Sequence, residues 1–216
     1  MTARGWGVRH SDTLDGLRAL LIEVGATAVR SGLVLASGGN LSARLPGADE
    51  FVVTAAGTWF DRLVQADFSR LRVADGARLG GAEQPSTEWK LHWRTYRARP
   101  DVNAIVHLHP QHAVLVDALG EEIRLTTLDH ATYVRSVGRV SLYPNGSDEL
   151  AESAAEQAAA GHDAMVLAHH GCSALGADVG MAFRRAANLE EAALASYRLL
   201  LLGDRTLRYP GTAGHG

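Results

Sequence analysis

The stretch Asn103–His112, NAIVHLHPQH, constrains this chain more than any other. Ala104, Ile105 and Val106 form an apolar run of the kind that fills a buried strand. Alternation along a strand puts His107 and His109 on one face and Leu108 on the other. Two imidazoles at the end of a buried strand are half of a metal site, so the fold has to bring further ligands to that strand end. A second pair, His169-His170, follows another short apolar run, Met165–Ala168. One histidine from this pair joined to His107 and His109 gives three nitrogen ligands. That donor set suits zinc with an open or carboxylate fourth position, with manganese and cobalt as alternatives. His112 falls on the first turn of the helix that Pro110 starts and is read as a hydrogen-bonding neighbour of the ligands.

The carboxylate to weigh is Glu88, at the start of a helix opened by Pro85-Ser86-Thr87, where backbone N–H groups are free. It either complements the helix dipole, worth under about 1 kcal/mol, or serves as an acid/base beside the metal. Ser86 and Thr87 have the same two readings: plain N-capping, or an anion site suited to a phosphate.

Around these motifs the periodicity predicts an α/β chain. A helix capped by Ser11 or Asp12 carries Leu14, Leu17, Leu20, Leu21, Val24 and Ala28 on one face and stops at Gly32. Leu41, Ala43 and Leu45 alternate with Ser42 and Arg44 as in a half-buried strand, and Pro46–Asp49 turns the chain into a second strand at Phe51–Thr54. A short hairpin around Asp75-Gly76, a helix from 85 to about 97, the strand 103–109 and a helix from Pro110 to Leu119 follow. Residues 121–143 give no clear pattern beyond strand-like material in Val134–Tyr143. An alanine-rich helix capped by Ser147, the strand 165–168 and a long helix over about 179–202 complete the chain. Two strand connections read as hairpins, so the sheet is expected to be mixed or largely antiparallel with helices on its faces. Residues 1–216 are read as one domain, with about ten residues at the N-terminus and about twelve at the C-terminus loose.

Composition excludes several function classes. A formal net charge of −3 gives no electrostatic case for nucleic acid or an anionic membrane surface. No apolar run approaches the roughly 18–20 residues of a membrane span, and MTARGWGVRHSD has no hydrophobic core for a signal peptide. The single cysteine, Cys172, rules out an internal disulfide framework and is read as a small buried filler. A cytoplasmic enzyme is the expectation.

Five motifs occur in order: SGGNLSAR at 37–44, VTAAG at 53–57, PSTEWKLH at 85–92, RPDVNAIVHLHP at 99–110 and AHHG at 168–171. With them the chain resembles the class II aldolase/adducin superfamily, most closely its L-fuculose-1-phosphate aldolase branch, over about residues 14–202. The resemblance implies a three-layer α/β/α fold around a mixed, largely antiparallel sheet. It also implies zinc on His107, His109 and His170, with Glu88 on the empty metal and acting as acid/base once substrate arrives. Asn40, Gly57, Ser86 and Thr87 would hold the substrate phosphate. The implied reaction splits a ketose 1-phosphate into dihydroxyacetone phosphate and an aldehyde through an enediolate stabilised by the metal. A homotetramer with active sites near subunit interfaces is implied as well. The sequence departs from the family pattern at Ala56, where a hydroxyl residue is usual, and at Thr87, where a serine is. The tyrosine that would protonate the leaving aldehyde has no clean match; Tyr133 and His130 are the nearby candidates. Sugar-acid phosphate decarboxylases and methylthioribulose-phosphate dehydratases share the ligand set and are the competing enzymes. An adducin-like binding module is the non-catalytic alternative, and pentulose-phosphate epimerases carry an aspartate where this chain has Glu88.

Overall fold

In a computed structural model of the chain, residues 11–35 and 37–212 are described. The described residues form one eight-stranded sheet with strand order β4-β3-β2-β1-β5-β8-β7-β6. Its strands are β1 Asn40–Arg44, β2 Glu50–Thr54, β3 Phe68–Arg72, β4 Arg78–Gly81, β5 Ala104–Leu108, β6 Val137–Val140, β7 Ala164–Leu167 and β8 Gly171–Gly176. Every neighbouring pair is antiparallel except β6 and β7. The described residues contain five α-helices, α1 Leu14–Arg30, α2 Trp89–Ala98, α3 Gln111–Ala118, α4 Asp148–Ala159 and α5 Val179–Leu201.

Strand alternation divides the core into two layers. Leu41, Ala43, Val106, Leu108 and Cys172 pack under α1, α3 and α5, whereas Phe51, Val53, Ile105, Met165 and Leu175 pack under α2 and α4. His107 has the parity of Ile105, so it faces the α2 side. It stands in register with Asn40 of β1 and with Ser173 of β8. No helix among the described residues is long and apolar enough to cross a membrane.

The structure corrects the sequence reading at four places. Thr13, rather than Ser11 or Asp12, caps α1 by accepting from the Gly16 N–H. Strand β1 is buried on both faces, because α2 covers the polar side that alternation alone assigned to solvent. Strand β8 was not anticipated; GCSALG is made of small residues with no punctuation to separate it from the preceding turn. Finally, residues 205–212 are tied down: the Tyr209 N–H donates to the Leu125 carbonyl at 2.8 Å, and Arg205 and Arg208 pair with Glu121 and Glu122. The rest of the expected loose ends, residues 1–10 and 213–216, lie outside the described residues. The segment 121–143 proves to be extended chain, a π-type turn at His130–Val134 and then β6.

Candidate metal centre

Three separate segments deliver the candidate ligands to one point. Strand β5 carries His107 as its last residue but one, and His109 follows just beyond its end. The turn between β7 and β8 presents His170, and Glu88 is the N-cap residue of α2. One side-chain donor atom from each lies within 4.8 Å of all the others. The imidazole rings meet edge to face, with centroids 5.0, 5.1 and 4.9 Å apart. The Glu88 carboxylate lies 3.1 Å from His107 Nε2 through Oε2 and 3.2 Å from His170 Nε2 through Oε1. His169 takes a left-handed φ of 57° and is exposed, while the next residue, His170, turns inward.

Backbone close to the ligands leaves no room for side chains. A Cβ on Gly171 would lie 2.4 Å from the Leu108 carbonyl oxygen and 2.7 Å from His109 Cδ2. One on Gly39 would lie 2.4 Å from the His107 carbonyl oxygen. These glycines let the neighbouring strands close on the histidine pair.

The electrostatics prepare the group to bind a cation. Burial pushes the Glu88 carboxyl up, but the charge and hydrogen bond of His107, the charge of His170 and the Asn40 amide outweigh it and hold it at about 2. Desolvation and the neighbouring histidines lower His109 to about 4, and desolvation lowers His170 as well. Near neutral pH the cluster therefore offers the Glu88 carboxylate together with His109 and His170 rings biased to the neutral form, the forms in which these groups ligate metals. Glu88 Oε1 is buried without a hydrogen bond. An acceptor left bare in this way is costly unless a cation or a substrate proton faces it. The group thus fits a divalent ion, and its nitrogen–carboxylate donor set suits zinc, manganese or cobalt.

A cleft of about 120 Å³ opens beside Glu88 and His109, and Asn40, Gly57, Ser86 and Thr87 all line it. Among the described residues no arginine or lysine does, and those that line it would meet an anion with neutral donors at the start of α2. Two residues already have work inside the protein. The Ser86 hydroxyl accepts from the Glu88 N–H at 3.3 Å, and the Asn40 amide donates to Glu88 Oε2 at 2.9 Å. Asn145 also lines the cleft and was missed. Its Pro-Asn-Gly-Ser setting marks a turn before α4, but nothing local says that the turn lands on Thr87.

The sequence reading also missed His92, which is wholly buried and joined to Asn40 and to the Ser42 hydroxyl. The four-residue spacing of Glu88, His92 and Tyr96 was the available signal, since it stacks all three on one side of a helix. Strand residues Asn40, Ser42 and Arg44 face them. Four residues of helix and two of strand both advance by about 6–7 Å, so the rows meet rung by rung. Ser42 Oγ lies 2.7 Å from the Tyr96 hydroxyl, and the Arg44 guanidinium covers the Tyr96 ring while donating to the carbonyls of Arg99, Pro100 and Val102.

The other sequence candidates do not reach the cleft. His130 is held between the Thr126 N–H and the Glu191 carboxylate. The Tyr133 ring lies under Arg184. His112 binds Glu190, which also accepts from the backbone N–H groups of His112 and Ala113 and so anchors the start of α3. Lys90, the only lysine in the chain, points outward to Asp148 at 2.9 Å, so no lysine amine enters the cluster. A separate groove of about 980 Å³ runs along β6 between Arg139 and Tyr209 and contains none of the candidate ligands.

Comparison with known proteins matches residues 19–197 to the family model described as Class II Aldolase and Adducin N-terminal domain. The chain is 32% identical over 169 residues to an L-fuculose phosphate aldolase of Methanocaldococcus jannaschii, covering 78% of this chain and 89% of that one. It is also 32% identical over 189 residues to a 3-oxo-tetronate 4-phosphate decarboxylase of Haemophilus influenzae, covering 84% and 87%. Among solved structures it superposes on an L-fuculose 1-phosphate aldolase with a TM-score of 0.84 at 25% identity, covering 95% of each chain.

Proposed function

The chain belongs to the class II aldolase and adducin family and is a lyase, and from that membership we propose that it is a metal-dependent aldolase. Its substrate would be a ketose 1-phosphate of the L-fuculose 1-phosphate type, cleaved to dihydroxyacetone phosphate and an aldehyde. The observation that carries this reading is the convergence of His107, His109, His170 and Glu88 beside a cleft lined by neutral donors. His107, His109 and His170 would hold a divalent ion, zinc by preference, with Glu88 as its fourth contact before substrate enters. When bound, that ion supplies a Lewis acid for the charge that develops as the carbon–carbon bond breaks.

The chain's own residues do the rest. Ser86, Thr87, Gly57 and Asn40 bind the phosphate at the start of α2 and set the reacting carbons against the histidine cluster. Glu88, ionised and buried, removes the proton from the dihydroxyacetone phosphate carbon in condensation; in cleavage its protonated form gives that proton to the carbon, while the C4 hydroxyl proton leaves to a separate base as the aldehyde forms. The group that takes the C4 hydroxyl proton in cleavage and returns it to the aldehyde oxygen in condensation is not Tyr133, His130 or His112 of the same chain, since none of them lines the cleft. Assembly as a homotetramer with sites near subunit interfaces, in the cytoplasm, completes the proposal.

The second reading is decarboxylation of a sugar-acid phosphate, favoured by the decarboxylase relative at equal identity. The deciding experiment is a panel of ketose 1-phosphates and sugar-acid phosphates given to metal-loaded protein, scored for dihydroxyacetone phosphate and for carbon dioxide. Dihydroxyacetone phosphate from a ketose 1-phosphate supports the aldolase. Carbon dioxide as the only product replaces it with the decarboxylase.

A further inference from the structure

We propose that a one-directional chain of buried hydrogen bonds, from Tyr96 through Ser42, His92 and Asn40 to Glu88, makes His92 a positioning residue that fixes Glu88 Oε2 and leaves Oε1 as the proton-carrying oxygen. This rests on the acid/base role proposed for Glu88.

The direction of the chain follows from its carboxylate end. An ionised carboxylate only accepts, so Asn40 turns its NH₂ to Glu88 Oε2, at 2.9 Å. The Asn40 carbonyl oxygen then faces His92, and since it also only accepts, His92 Nε2 must carry the hydrogen in that contact. His92 is wholly buried and its ring contacts only the neutral groups of Asn40 and Ser42; burial outweighs the raising charge of Glu88 and lowers its pKa to about 3, so the ring is neutral and, with the hydrogen on Nε2, Nδ1 bears none. Nδ1 therefore accepts from the Ser42 hydroxyl at 2.6 Å, and Ser42 Oγ accepts from the Tyr96 hydroxyl at 2.7 Å. Each group donates toward Glu88, the alignment in which successive hydrogen bonds polarise one another. Reversing any link would set acceptor against acceptor at the carboxylate.

The chain settles how the two oxygens of Glu88 differ. Oε2 is held by Asn40, whereas Oε1 has no hydrogen bond and lies 3.2 Å from His170 Nε2. In condensation Oε1 takes the proton from the dihydroxyacetone phosphate carbon, and in cleavage it gives the same proton back. His92 lies behind this oxygen pair and does not line the cleft. Its loss is therefore expected to lower turnover rather than substrate binding.

The test uses the whole chain. In metal-free, ¹⁵N-labelled protein, long-range proton–nitrogen correlation of the imidazole rings is expected to show His92 with hydrogen on Nε2 and none on Nδ1, the His92→Gln spectrum supplying the assignment. Hydrogen on Nδ1, or a ring averaging between both forms, overturns the proposal. With metal restored, His92→Phe is expected to lower kcat for proton exchange on dihydroxyacetone phosphate about 10–100-fold, with KM and metal content unchanged. His92→Gln, whose amide can still donate to Asn40, is expected to recover most of that loss. Unchanged kcat in the Phe variant, or a change confined to KM, overturns the proposal. If the Phe variant does not fold, the tautomer and the Gln variant decide. A wild-type protein that shows the Nε2–H tautomer yet exchanges no proton supports the chain and overturns the aldolase reading instead.

Discussion

Gly171 shows how little freedom the centre has at the scale of single residues. Gly171→Ala would force a methyl group between the Leu108 carbonyl and the His109 ring. It is expected to lower metal occupancy at least tenfold, read by elemental analysis after dialysis against a competing chelator. Glu88→Gln is the opposite kind of change. It removes a charge but keeps the shape and an oxygen donor, so the protein should retain metal while proton exchange on dihydroxyacetone phosphate falls at least 100-fold, measured by deuterium wash-in. The histidines that cluster in the structure were legible as candidates because histidines at strand ends are conspicuous and alternation gives the facing of His107 and His109. The fate of Asn40 was not. Its motif suggests a phosphate contact, and only the packed structure shows that its amide also donates to Glu88.

At the scale of elements, the meeting of α2 with β1 carries a pH signature. Unfolded histidine takes up a proton near pH 6.5, whereas His92 in the folded protein does so only at about 3. Between those values the unfolded chain binds more protons, so stability is complete above the window and is lost as pH falls through it. Glu88 acts with the same sign at lower pH, since it is held at about 2 in the fold against 4.5 in the free residue. Urea titrations of metal-free protein should therefore show stability declining steadily from neutrality toward pH 3, with a shallower decline in His92→Gln. The sequence read α2 and β1 nearly to their ends, because a capped helix before Pro100 and an alternating strand are local signals. It misjudged the polar side of β1, since Ser42 and Arg44 look like solvent residues until a helix carrying His92 and Tyr96 lies on them. Strand β8 escaped for a related reason: its identity comes from pairing with β5 and β7, and its small residues carry no periodicity.

At the scale of the whole molecule, the candidate metal centre and one buried carboxylate bring together elements far apart in the chain. The candidate ligands come from the start of α2, from β5 and the residue after it, and from the β7–β8 turn, so an ion bound there would stabilise the folded state by mass action, about 4 kcal/mol at a thousandfold excess over Kd. Chelation should lower the melting temperature by about 10 °C, and zinc should restore it, as a thermal scan with and without chelator would show. Away from the centre, Asp163 is buried among Arg99, Arg135 and Arg185 and links the end of α2 to the start of β7 and to α5. Asp163→Asn would leave Arg135 and Arg185 without their carboxylate, while Arg99 keeps Asp101, and is expected to cost about 3–5 kcal/mol in denaturant unfolding. The rungs between α2 and β1 also set a rule for how such a sequence can drift through descent. Exchanging one side chain for another alters a single rung, but inserting or deleting one residue inside either element shifts every later rung out of step. Lineages of this chain should therefore gather their gaps in segments such as Pro46–Asp49 and leave the lengths of these two elements fixed.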